Sequence, residues 1–142
     1  MKTYSLAVVA LVLLTGCANM SVIRAKDVAG EPTAYCKVLK EPDPILLGGW
    51  KCGYNRSFTG TQDYDFNPVA YWLVKKGDKY ALYFYRATRG GAKRFVGWRD
   101  WTINGNEIDS GTGIRIVARD GGVYYSWENQ KPEQMTPFTL EQ

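Results

Sequence analysis

Short alternating segments separated by tight-turn signals run through most of this chain, and no stretch carries a convincing 3.6-residue repeat. Val69 to Lys76 and Tyr80 to Ala87 are rich in β-branched and aromatic residues and are joined by Gly77-Asp78. Phe95 to Ile103 and Glu107 to Ile108 flank Asn104-Gly105, and Ile114 to Arg119 and Val123 to Glu128 flank Asp120-Gly121-Gly122. With strands near Leu46 to Tyr54 and Phe58 to Thr61, the reading is seven or eight short strands in simple succession. Without crossover helices, such a succession predicts an all-β fold: an antiparallel up-and-down meander closed into a small barrel or sandwich.

Alternation sorts the strand faces. Tyr80, Leu82 and Phe84 oppose Ala81, Tyr83 and Tyr85; Ile114, Ile116 and Ala118 oppose Arg115 and Arg119. Val123, Tyr125 and Trp127 oppose Tyr124, Ser126 and Glu128, and Val96 and Trp98 oppose Arg99 and Trp101. The apolar series is expected to form the interior, and the second face carries both aromatic and basic residues.

The N-terminus belongs to a different kind of segment. Lys2 precedes a nine-residue apolar run, Leu6 to Leu14, closed by Thr15, Gly16 and Cys17. A charge, a short apolar stretch and small residues form the secretory pattern, and crossing a bilayer needs roughly 20 apolar residues. Leu14-Thr15-Gly16-Cys17 resembles the lipobox of bacterial lipoproteins, which implies cleavage after residue 16 and acyl chains, palmitate among them, on Cys17. Ala18, in place of the aspartate that holds enteric lipoproteins in the inner membrane, implies the outer membrane. The expected organisation is therefore a signal peptide over 1–16, lipid anchor and extended tether over 17–44, and a β-barrel domain over 45–142. A flexible tether of seventeen residues (18–34) has an r.m.s. reach of roughly 20–25 Å.

Residues 17–142 suffice for one domain with a core, and they keep 17 of the 18 lysines and arginines against 14 acids. That balance is too mild to specify a nucleic-acid binder. If Cys17 carries lipid, Cys36 and Cys52 remain as an even pair in an oxidising compartment, and a disulfide stabilising the fold by about 3 kcal/mol is expected.

The chain has no histidine, which removes Ser-His-Asp and Cys-His catalysis and histidine-ligated metal sites. Gly90-Gly91 and Gly111-Thr112-Gly113 lack the ending of a phosphate loop. Asp63, Asp65 and Asn67 open like a calcium loop, but Pro68 and Val74 stand where glycine and glutamate are required. No carboxylate pair is marked for glycosidase chemistry. No enzyme, metal or cofactor is expected.

Gly48-Gly49-Trp50 resembles the G-x-W signature that opens the first lipocalin strand, and this resemblance implies an eight-stranded barrel around an apolar cavity. Trp50-Lys51-Cys52 is similar to the early cysteine of the membrane-bound lysozyme inhibitors, likewise small barrel lipoproteins. The leading expectation is a non-enzymatic, lipid-anchored envelope protein holding a small apolar or amphipathic ligand at Trp50, Trp72, Phe84, Trp98, Tyr125 and Trp127. Arg86, Arg89, Lys93, Arg94 and Arg99 form a candidate patch for anions such as phosphates or carboxylates. The alternative is a protein-binding envelope lipoprotein: an inhibitor of lysozyme or another cell-wall hydrolase, or a structural partner in an envelope assembly.

Overall fold

The computed structural model describes residues 23–55, 66–87 and 94–140. The signal segment, Cys17, Phe58–Thr61, the calcium-like Asp63 and Asp65, Arg89 and Lys93 lie outside the described residues, as does the side chain of Arg94.

The fold is all-β, in two sheets. Eleven strands are described: β1 (Lys37–Lys40), β2 (Gly48–Asn55), β3 (Phe66–Lys76), β4 (Lys79–Ala87), β5 (Arg94–Arg99), β6 (Thr102–Asn104), β7 (Glu107–Asp109), β8 (Ile114–Arg119), β9 (Gly122–Trp127), β10 (Glu133–Gln134) and β11 (Thr136–Phe138). One sheet has the order β11-β2-β3-β4-β5, the other β1-β6-β7-β8-β9-β10. The chain passes between them three times, through residues 41–47, through Asp100-Trp101 and through Met135. β11 returns to pair with β2, and the two sheets face each other as a barrel-like sandwich with corners at those linkers. Among the described residues the one parallel pairing is β1 with β6.

Local chemistry explains the hairpins. Asp120 and Gly121 both take positive φ, 51° and 74°, in the two-residue loop between paired Arg119 and Gly122. That is the primed turn whose twist matches the flanking strands. The Asn104-Gly105 signal is displaced by one residue: Asn104 still pairs with Glu107, and Gly105-Asn106 forms the turn.

Between the sheets lies a core that includes Leu46, Tyr71, Leu73, Leu82, Phe84, Ile103, Ile108, Ile116, Val123 and Tyr125. A single 3-10 turn, Pro44–Leu46, covers one end. It is capped by the Asp43 carboxylate, which accepts from Ile45 N at 3.1 Å. The buried Tyr71 hydroxyl donates to Leu46 O at 2.8 Å, and the Trp50 indole N–H donates to Ile45 O at 3.0 Å. Asp43 N donates to Gly105 O, placing this plug at the β6–β7 turn end of the barrel.

Three expectations are corrected. Residues 23–44 are not a free tether: Ile23 is fully buried, Val28 is buried, and β1 is hydrogen-bonded into a sheet. Apolar residues in that stretch find a partner because the outer face of the five-stranded sheet is itself apolar, with Ala70, Trp72, Tyr83, Tyr85 and Trp98 packed there. For the same reason Trp72 and Trp98 stand outside the barrel, while Trp101 is the residue that turns inward.

The third concerns Cys36 and Cys52, which are separate thiols. Cys36 N donates to Tyr80 O, whereas Cys52 sits opposite Val69, which in turn faces Arg86. Their rows are six residues apart along β4, or about 20 Å at the rise of a strand. A disulfide needs its Cα atoms within about 7 Å. An even number of cysteines does not by itself bring two thiols together.

Candidate functional site

At the end of the barrel opposite the plug, the two sheets part. The cleft there has a volume of about 280 Å³. β4 contributes Phe84 and Arg86, β5 contributes Phe95 and Arg99, and the corner contributes Asp100 and Trp101. Across the gap stand Ile114 and Trp127, with Ser110 and Thr112 at the rim.

Backbone geometry makes the opening. Gly97 lies opposite Phe84 at φ 140°, in a region that L side chains rarely adopt, so β5 sends no side chain toward Phe84. The Trp101 ring packs against Phe84 from the corner, the two centroids 4.7 Å apart, and the space beside Gly97 stays open. The rim is tied to itself: Ser110 Oγ accepts from Thr112 N at 3.1 Å and Ile114 N at 3.0 Å, and Asp109 Oδ1 accepts from Gly111 N at 2.8 Å. Glu128 N donates to Gly113 O at 2.7 Å.

Two cations line this partly apolar hollow. The Arg86 guanidinium lies over the Trp127 ring, 4.5 Å from its centroid. Arg99 has its Nε buried without a hydrogen-bond partner, an arrangement costing about 1–3 kcal/mol when nothing compensates it. Among the described residues neither guanidinium forms an ion pair. Arg115 behaves otherwise, reaching Glu107 at 3.8 Å and Asp109 at 3.9 Å. The cleft thus joins aromatic walls to two guanidinium groups that have no ion pair among the described residues, a combination suited to a carboxylate or phosphate on an apolar body.

Two other hollows among the described residues lack that combination. A groove of about 410 Å³ beside β1 is lined by Asp100, Glu107 and Asp109, two of which already pair with Arg115. A third hollow runs over Lys40 to Pro44 and the Gly105 turn, with no aromatic wall. Among the described residues no group of three or more Cys, Asp or Glu side chains is placed to hold a metal ion.

The six residues expected to hold ligand therefore divide. Phe84 and Trp127 line the cleft; Tyr125 is buried in the core; Trp50 packs against the core while bonded to the plug; Trp72 and Trp98 lie on the outer face. From the expected anion-binding patch the structure brings Arg86 and Arg99 together here. Sequence reasoning placed Trp101 beside Arg99 in the basic and aromatic face but passed over Phe95, Ser110 and Thr112. The parity of β5 held the signal for Phe95 and Trp101, since both share a face with Arg99.

Comparison with protein-family models, curated proteins and solved structures finds no match to this chain. The site itself must carry the functional reading.

Proposed function

We propose that this chain is a non-enzymatic, lipid-anchored cell-envelope binding protein that takes the anionic end of a small amphipathic ligand in the cleft between its sheets. The observation that carries the reading is the pair Arg86 and Arg99, two guanidinium groups without a carboxylate partner among the described residues, set among Phe84, Trp101 and Trp127. Both arginines are half-buried, and the Arg99 Nε is buried with no hydrogen-bond partner, which an incoming anion would supply. The interior beyond the cleft is filled by Tyr71, Leu82, Phe84 and Ile116, so the ligand is held at the mouth and not in a lipocalin-type central cavity. The Cys17 lipobox supports anchorage, and Ala18 supports the outer membrane.

The test uses two fluorescent probes of similar size, anionic anilinonaphthalene sulfonate and neutral N-phenylnaphthylamine, titrated into the full chain. Saturable binding of the anionic probe, at least tenfold weaker in Arg86→Ala/Arg99→Ala, is the expected result. Equal affinity for both probes, or binding unchanged in the double variant, would overturn it.

A further inference from the structure

The described chain starts at Ile23, and Ile23 is already seated. It is fully buried with Val28 and Ala70 on the outer face of the five-stranded sheet, beside Trp72, Tyr83, Tyr85, Trp98, Phe138 and Leu140. The short turn that follows is held by Arg24 N donating to Asp27 Oδ2 at 2.8 Å and Asp27 N donating to Arg24 O at 2.9 Å. Only five residues separate Ile23 from Cys17. Whatever their conformation, the six Cα steps span at most about 20 Å, while a domain of this size is roughly 35 Å across.

We propose that the outer face of the five-stranded sheet, around Trp72, Tyr83, Tyr85 and Trp98, rests on the lipid surface in which Cys17 is anchored. The proposal rests on the lipid-anchor reading above. Its own support is threefold. The docked segment brings the anchor to this face. The face carries half-buried Trp and Tyr side chains, with the Tyr83–Trp98 pair edge-to-face at 5.2 Å and Val96, on the same side of β5, 41% exposed. Tryptophan and tyrosine favour the headgroup level, where an amphipathic ring meets both phases. Finally, Arg24 and Lys26 are exposed on the covering segment and Lys51 lies on the same side of β2, which suits anionic headgroups.

The orientation follows. The acidic groove and β1, where Leu39 is 73% exposed, belong to the other sheet. They are left facing the aqueous side.

The experiment uses the acylated full chain in phosphatidylethanolamine–phosphatidylglycerol vesicles, with nitroxide labels on Val96→Cys and, separately, Leu39→Cys. A label at position 96 should favour oxygen over aqueous nickel as relaxant by at least fivefold relative to one at position 39. Equal accessibility at the two positions, with acylation shown by intact mass, overturns the face proposal and leaves the anchor intact. An intact mass without acyl chains overturns both. As a second readout, acyl-brominated lipid should quench tryptophan emission, and Trp72→Phe/Trp98→Phe should remove most of the quenched component while Trp50→Phe does not. Quenching that follows Trp50 overturns the proposal.

Discussion

The Arg86 guanidinium stacks 4.5 Å from the centroid of the Trp127 ring, joining β4 of one sheet to β9 of the other across the mouth of the cleft. A stacked guanidinium keeps its edge N–H donors in plane and open, so the aromatic contact orients the cation without consuming it. Replacing Arg86 with lysine should therefore weaken an anionic amphiphile at least fivefold although the charge is kept, because an ammonium cannot present the same planar fork. Titration of the anionic probe checks this, and affinity for it should fall with added salt in the native protein more steeply than in Arg86→Ala.

The two core thiols should be chemically quiet. Burial, with Asp100 nearby, pushes Cys36 up to about 12, and burial with the Glu133 carboxylate drives Cys52 higher still. Since the thiolate is the nucleophile, neither thiol should be alkylated by iodoacetamide within minutes at pH 8 in the folded protein. In urea without reductant, both should react, giving two added carbamidomethyl groups on the pair. An intact mass lower by the two hydrogens of a Cys36–Cys52 bridge, with alkylation only after reduction, would contradict the separation seen here.

Glu133 makes stability depend on pH in an unusual direction for an acid. Desolvation raises its pKa above the ordinary 4.5, partly offset by the hydrogen bond from the Cys52 thiol. A raised carboxylate favours the protonated form in the fold. Its stabilising effect is complete below the unfolded value and is lost as pH rises through the folded one. Glu133→Gln, which keeps an acceptor for the thiol, should match or exceed the native protein at pH 7. Native stability should gain on the variant as pH falls toward 4. Denaturant midpoints at the two pH values measure this, and the opposite trend would be decisive against it.

Much of this fold was legible because antiparallel strands with one wet face alternate. Ile114, Ile116 and Ala118, and Val123, Tyr125 and Trp127, point inward as their period requires, and Asp120-Gly121 turns where its chemistry allows. Legibility failed where both faces of a strand are dry. On β5 the parity was right, but Trp98 outweighed Arg99 as an interior residue. The outer face is apolar only because residues 23–28 and 138–140 cover it, a pairing of distant segments that no local pattern announces. β10 and β11 are too short to carry a period, and β1 is exposed along its whole length. The cleft was half visible as Phe84, Arg86, Arg99 and Trp127; the register of Gly97 opposite Phe84 brought in the rest.

Closure of the barrel depends on a position where no side chain fits. A Cβ on Gly49 would stand 2.8 Å from Phe138 Cε1, Cζ and the backbone O of Phe138. The ring can turn aside, but the carbonyl oxygen cannot move without loosening the β2–β11 ladder. Gly49→Ala should cost about 1–3 kcal/mol, in the range for overpacking, and lower the denaturant midpoint accordingly. Gly30→Ala, with nothing within 4 Å of the added carbon, is the matched control and should change stability by less than about 0.5 kcal/mol.

Ile23 is the residue whose loss should free the leading segment while sparing the barrel. Its side chain is fully buried, yet it belongs to the outer cluster and not to the core between the sheets. Truncating a buried isoleucine to alanine costs about 2–5 kcal/mol where the cavity cannot collapse. A segment held chiefly by Ile23 and Val28 can instead lift away, so the loss should appear as local opening. In Ile23→Ala, amide exchange at Asp27 and Val28, whose N–H groups donate to Arg24 O and Ala25 O, should accelerate at least tenfold. The ladder between β8 and β9 should keep its protection. Equal acceleration in both places would mean that the outer cluster and the core unfold as one unit, and that the first docked residues are integral to the barrel.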